Sequence, residues 1–415
     1  MATVDGPGEA HASFMEWAIS QGVEINGVAP ARFPGRGLGM VATRNIEEGE
    51  TIVAVPLKAM LTVDCIPSSF VNKFTDGISV HGLIAAFLTH GDQKTLEKYE
   101  LWRRVWPSRQ DFEDSMPILW PERPRSQDQP SLQILSPPSI SGVWSSIRKR
   151  SDGHECDTKH QNLLAQQKKR LQEAWNSVRA VFPDTDWEIF SYYWLIVNTR
   201  SFFYLQPDED PPEDRNDAMA LVPFADYFNH ADDAKCDVSF DGKRYTFRSI
   251  KPYGKGEEIY MSYGPHSNDF LLTEYGFYLE ENESDAVYLD DIIFRDLSAF
   301  HKEELSLQQY YGNYQLSSAG ACFRTEIAAC MTYMSLKHWR DYVLGRSTRG
   351  VNAKKTNAVI ARWIRNYIKE AEGAIATLET IQQRECKAEK RVKMLLGRWR
   401  QIKGLCENAL RTTVS

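Results

Sequence analysis

The chain has 415 residues, 42 % hydrophobic and 25 % charged, an ordinary soluble-globular composition with length for two or three domains. Its formal net charge of −7 argues against a nucleic-acid binder that rests on a broad basic surface, and leaves room for a substrate presenting a lysine. Seven cysteines without a Cys-x-x-Cys pair argue against a disulfide framework or a structural zinc, and no apolar run approaches the ~18 residues of a membrane span.

The N-terminus is polar and carries no signal-peptide pattern, so a cytoplasmic or nuclear monomer that does not contact membrane or nucleic acid is expected. A short amphipathic helix opens the chain, with Phe14, Trp17, Ala18 and Ile19 on one face. Gly35-Arg-Gly37-Leu38-Gly39 follows, then a turn at Glu47–Glu50 and a strand over Thr51–Pro56 that ends at proline. From 66 to 185 the pattern changes to helix and loop: His81–His90, Leu96–Val105 and the long charged helix Leu163–Val181, with an aperiodic excursion between 121 and 160.

Trp187–Leu205 reads as an aromatic-rich helix, followed by an acidic loop from Asp208 to Asp217 that is expected to be solvated. Residues 218–280 are strand-like, with a hairpin turn at Asp241-Gly242. Beyond 285 the chain turns helical. Ile360, Ile364, Tyr367, Ala371, Ile375 and Leu378 form a helical stripe, and a last helix spans Glu389–Leu410 behind a basic run from Arg384 to Lys393. The predicted organisation is therefore 1–65, 186–280 and an intervening insert at 66–185, with a helical region at 281–415.

Several residues invite chemistry, and each has a plainer reading. Gly37-Leu38-Gly39 lets backbone approach a ligand, but lacks the full dinucleotide-binding pattern and on its own reads as a tight turn. His230 has no second histidine at ligand spacing, and neither Ser262 nor Cys236 sits on a nucleophile elbow, so a buried histidine competes with a catalytic one and no metal site is expected. Arg200 needs a carboxylate or carbonyl, from the protein or from a ligand. Tyr263, Tyr275 and Phe277 could be core aromatics or the wall of a site.

The order of these pieces resembles the SET-domain protein methyltransferases of the Rubisco large-subunit lysine methyltransferase-like subgroup. The resemblance rests on Gly37-Leu-Gly39 with Thr43–Glu50, Val197-Asn-Thr-Arg200, Asp226-x-x-Asn229-His230, Glu257–Gly264 and Ser267–Phe277, with a weaker likeness at Tyr314-Gln-Leu and Cys322–Glu326. It implies an α+β fold: a β-rich core of small curled sheets split by a helical insert, plus an all-helical C-terminal substrate-binding domain. It also implies S-adenosyl-L-methionine as cofactor and a lysine of a non-histone protein as acceptor. Gly37, Leu38 and Gly39 would line the cofactor, Arg200 would reach its carboxylate, and Asn229 and His230 would hold it, braced by Asp226. Tyr263 would stand beside the methyl group as the catalytic residue, and Tyr275 and Phe277 would wall the adenine or the target channel. Histidine as acceptor, or a SET fold without catalysis, are the alternatives. Phe202 and Ala225, where the histidine-methylating relative has asparagine and tryptophan, favour lysine.

Overall fold

Two compact units divide the chain, one of residues 1–112 and 168–265, the other of residues 113–167 and 266–415. The computed structural model describes residues 6–34, 36–122, 130–144, 160–213, 217–384 and 389–414. Most of the excursion expected at 121–160, and part of the acidic loop and of the basic run before the last helix, lie outside the described residues.

The first unit is built on short strands: β1 (Glu24–Ile25), β2 (Val28–Phe33), β3 (Gly37–Ala42), β4 (Thr51–Pro56), β5 (Ser201–Phe203), β6 (Met219–Leu221), β7 (Asn229–His230), β8 (Cys236–Phe240), β9 (Arg244–Ser249) and β10 (Glu258–Met261). They form two four-stranded sheets, ordered β1-β4-β9-β8 and β2-β3-β10-β7, and the pair β5-β6. β4 follows from its composition, because Ile52, Val53 and Val55 suit a pleated buried surface, and it ends at Pro56, which pairs with Arg244 but has no N–H to donate. The expected hairpin joins β8 to β9: Gly242 takes φ 85°, and the Asp241 carboxylate accepts from the amides of Lys243 and Arg244, both at 2.8 Å. Pairing is antiparallel except between β10 and β7, which run parallel with Tyr260 opposite Asn229 and Met261 opposite His230.

Helices pack on these sheets with recognisable caps. Ser79 caps Val80–His90 by accepting from Gly82, and Asp186 caps Trp187–Arg200 by accepting from Ile189. The second helix stops at Arg200 instead of Leu205. Ser201, Phe202 and Phe203 pair with Leu221, Ala220 and Met219, and aromatic side chains favour that pleat over another helical turn. The single helix expected over Leu96–Val105 is two, Gln93–Glu97 and Glu100–Arg103, interrupted at the buried Tyr99. In the opening helix, Glu9–Ser20, Phe14 and Ala18 are fully buried but Ile19 points to solvent.

The second unit is mainly helical and carries one small antiparallel sheet that the sequence pattern had hidden: β11 (Ala286–Tyr288), β12 (Gln315–Ser317) and β13 (Gly320–Ala321). Its core gathers Trp339, Trp363, Trp399 and the predicted stripe of the helix Ala353–Arg384, where Ile360, Ile364, Tyr367, Ala371 and Leu378 are buried and Ile375 is half-buried. Arg398, on the helix Glu389–Val414, is fully buried and forks between Asp269 (2.7 Å) and Asp285 (2.7 and 3.0 Å). Burial opposes its charge, but the two carboxylates more than offset that and hold its pKa above the usual arginine value.

Candidate active site

Five consecutive residues, Asp226 to His230, organise the site, because they reach several different parts of the first unit. The Arg200 guanidinium, at the end of its helix, donates to the Asp226 carbonyl at 2.9 Å and lies 3.4 Å from its carboxylate. Trp102 Nε1 donates to the same carboxylate oxygen at 3.2 Å. The Phe228 carbonyl accepts from Tyr263 OH at 2.7 Å. Asn229 Nδ2 donates to the Leu38 carbonyl at 2.9 Å and to Glu258 Oε1 at 2.8 Å. His230 Nδ1 accepts from the Tyr263 amide at 3.1 Å, and the two rings stack with centroids 5.1 Å apart.

These contacts fix chemical roles. Both acceptors on Asn229 Nδ2, a carbonyl and a carboxylate, are oxygens, so the amide orientation is set and Oδ1 is the acceptor end of the side chain. A backbone N–H only donates, so His230 Nδ1 is an acceptor and the ring proton resides on Nε2. The hydroxyl proton of Tyr263 is committed to a carbonyl, which leaves its oxygen lone pairs facing away from that bond. Just before this segment Phe224, fully buried, takes φ 69°, a left-handed conformation that a bulky residue adopts only where packing enforces it.

Gly37 and Gly39 lie in β3, so the tight turn that their own residues suggested is a strand. A tetrahedral Cβ at Gly39 would stand 2.5 Å from Glu258 Oε1 and 2.7 Å from Asn229 Nδ2, so only glycine leaves room for that hydrogen bond. A Cβ at Gly37, where φ is 78°, would meet nothing within 4 Å, so the start of the strand borders open space. Leu38 contributes its carbonyl to Asn229.

Arg200 and Asp226 form the ion pair that was the plainer reading of the arginine, with side chains 23 % and 4 % exposed. Burial pushes the Asp226 carboxyl above the usual range, opposed by Arg200 and Trp102. Arg200 Nε and Asp226 Oδ1 are nonetheless buried without a hydrogen-bond partner among the described residues. Together with Asn229 Oδ1 they offer one donor and two acceptors, a set that suits an amino-acid head group carrying both an ammonium and a carboxylate.

Glu258, to which the sequence reading gave no role, is central to the site. Its side chain is 4 % exposed, and besides Asn229 it accepts from Tyr260 OH at 2.7 Å and pairs with Arg36 at 2.9 Å. The signal was present in the alternation of β10, which puts Glu258 and Tyr260 on one face. Tyr275 and Phe277 belong to the second unit, at the end of the helix Asn268–Tyr275 and just beyond it, with ring centroids 6.2 Å apart. Burial pushes the Tyr275 hydroxyl up to about 12. No cluster of three or more metal-ligating side chains occurs among the described residues.

Two family models match the chain, the SET domain over residues 37–264 and the "Ribosomal lysine N-methyltransferase 2 C-terminal domain" over residues 285–412. "SET domain-containing protein 4" of Mus musculus is 24 % identical over 396 residues, covering 89 % of this chain and 83 % of that protein. "Ribosomal lysine N-methyltransferase set11" of Schizosaccharomyces pombe is 35 % identical over 144 residues, 35 % of this chain and 36 % of its own. Among solved structures, Rubisco LSMT bound to AdoMet superposes with a TM-score of 0.60 at 16 % identity, covering 98 % of this chain and 93 % of the other, a likeness of fold.

Proposed function

The chain belongs to the SET-domain family, and from that premise we propose that it methylates the side-chain amine of a lysine in a non-histone protein, with S-adenosyl-L-methionine as methyl donor. The observation that carries this reading is the hub from Asp226 to His230, where Arg200, Leu38 and Tyr263, far apart in sequence, are hydrogen-bonded to one short segment. Its relatives include "N-lysine methyltransferase SETD6" of Mus musculus, 24 % identical over 285 residues that cover 65 % of this chain and 54 % of that protein.

In this mechanism Asp226 Oδ1, Asn229 Oδ1 and Arg200 Nε would hold the amino-acid portion of the cofactor, while Gly37, Leu38 and Gly39 would line it through their backbone. S-adenosyl-L-methionine supplies a sulfonium methyl group open to in-line displacement. The attacking amine must be neutral, and deprotonating a lysine of pKa near 10.4 at pH 7 costs about 4.6 kcal/mol. An aromatic channel would reduce that cost by desolvating the ammonium, and alignment would supply much of the remainder. Tyr263, whose hydroxyl donates to the Phe228 carbonyl, would orient the acceptor through its oxygen lone pairs. We assign it positioning, with water as the proton acceptor. Phe202, packed on Tyr245 and Phe247 with centroids 5.8 and 5.9 Å away, offers no polar hold for an imidazole and supports lysine over histidine.

Transfer of tritium from labelled S-adenosyl-L-methionine into proteins of a cell lysate tests the reading. A labelled band whose hydrolysate contains methyllysine is expected. Methylhistidine would reverse the choice of acceptor, and no labelled band with cofactor binding intact would reduce the protein to a binding module.

A further inference from the structure

Charge is distributed unevenly along this acidic chain. Residues 201–300 contain 22 aspartates and glutamates against 8 lysines and arginines, whereas residues 336–365 contain 8 lysines and arginines against the single Asp341. The net charge of −7 therefore conceals a strongly basic stretch in the second unit.

The helix Ala353–Arg384 turns part of that stretch into a surface. At 3.6 residues per turn, Lys354, Lys355, Arg362, Arg365 and Lys369 fall within about 100° of its circumference, along about 22 Å of its axis. The only other residue in that arc between 354 and 369 is Ala358. All five basic side chains are exposed, and the arc lies opposite the buried stripe of Ile360, Ile364 and Tyr367. Arg362 pairs with Asp296, and Lys355 lies over the Tyr333 ring. Lys354, Arg365 and Lys369 have no ion-pair partner among the described residues, and the next acid along the face, Glu372, is taken by Lys403.

From this row of charges we propose that the exposed face of the helix binds the sugar–phosphate backbone of single-stranded RNA. A solvated helix face ordinarily mixes signs, whereas five cations in one arc, of which only Arg362 is paired with a carboxylate among the described residues, repel one another and are relieved by a polyanion. A protein partner needs an apolar centre to desolvate, and this arc offers only an alanine. A phosphodiester chain needs no such centre, since release of its counterions supplies the affinity. A flexible single strand can follow a straight row, with arginine forking onto phosphate oxygens. The proposal is independent of methyl transfer.

Fluorescence anisotropy of a labelled uridine-rich RNA of about 20 nucleotides, titrated with the full chain between about 50 and 200 mM salt, tests it. Wild-type protein should bind with a steep salt dependence. The triple variant Lys354→Glu, Arg365→Glu, Lys369→Glu should bind more than about tenfold more weakly, with the log–log salt slope reduced by about 2, at about 0.7 per phosphate contact. Because these side chains are exposed, its thermal unfolding should match that of the wild type, which separates lost contacts from lost fold. Absence of RNA binding at the lowest salt would overturn the proposal, as would a variant that binds like the wild type. Displacement of RNA by a polyglutamate peptide at equal charge concentration would overturn it in favour of an acidic protein segment.

Discussion

At Gly39 a single methyl group decides whether the site assembles. The missing Cβ leaves space for Glu258 and Asn229 to meet, and Gly39→Ala should force them apart. We expect the Kd for S-adenosyl-L-methionine to rise at least about tenfold, equivalent to one hydrogen bond of the charged kind, as measured by isothermal titration calorimetry. Wild-type affinity in that variant would move the cofactor away from β3. Tyr263→Phe should do the opposite, lowering kcat by about 10²-fold through lost alignment while cofactor Kd stays within about threefold. A parallel loss of both would make Tyr263 structural. Asn229, His230 and Tyr263 were legible as candidates from residue type and order. Glu258 was not, because an isolated carboxylate in a strand usually faces water; only packing reveals that it is buried with Arg36, Tyr260 and Asn229 around it.

Between elements, buried polar groups set the conditions under which the units stay folded. His81, on Val80–His90, is buried, stacks on Trp194 at 4.3 Å and bonds the Trp194 carbonyl at 2.9 Å. Burial lowers its pKa from 6.5 to about 3. The unfolded chain therefore takes up a proton that the folded chain refuses. Stability is full above pH 6.5 and falls as pH drops towards 3, by about 2 kcal/mol at pH 5. In His81→Phe, urea unfolding should lose that part of the difference between pH 7.5 and pH 5; an unchanged difference would assign it to other groups. In the second unit, Arg398→Met leaves Asp269 and Asp285 buried without their cation and should cost about 3–5 kcal/mol by urea midpoint. Adding Asp269→Asn and Asp285→Asn should restore much of the loss, since the penalty lies in uncompensated charge. The helices carrying His81 and Arg398 were readable from the sequence, and the partners of these two residues were not.

On the scale of the molecule, chemistry and charge are assigned to different units. The site residues from Gly37 to Tyr263 lie in the first, and the basic helix face lies in the second. Cofactor at about 100 times its Kd should stabilise the native state by about 2.7 kcal/mol. Hydrogen exchange should slow in β3, in residues 226–230 and in β10, with the solvent face of Ala353–Arg384 unchanged. Uniform slowing throughout would contradict a cofactor site confined to those elements.

The amino-acid sequence by itself determined what depends on local order: strands and helices with strong periodicity, the Asp241-Gly242 turn, the helical C-terminal region, and the family, through motifs kept in sequence. Tertiary structure decided what depends on distant residues meeting. Gly37–Gly39 form strand and not turn because Ala31, Arg32 and Phe33 of β2 pair with them. The helix ended at Arg200 because Met219–Leu221 offered a strand partner. Arg200, Asn229 and Tyr263 acquired definite donors and acceptors only when the chain brought Asp226, Leu38 and Phe228 to them. Hydrogen bonds between residues far apart in sequence leave no local pattern to read, and in this protein they shape the candidate site.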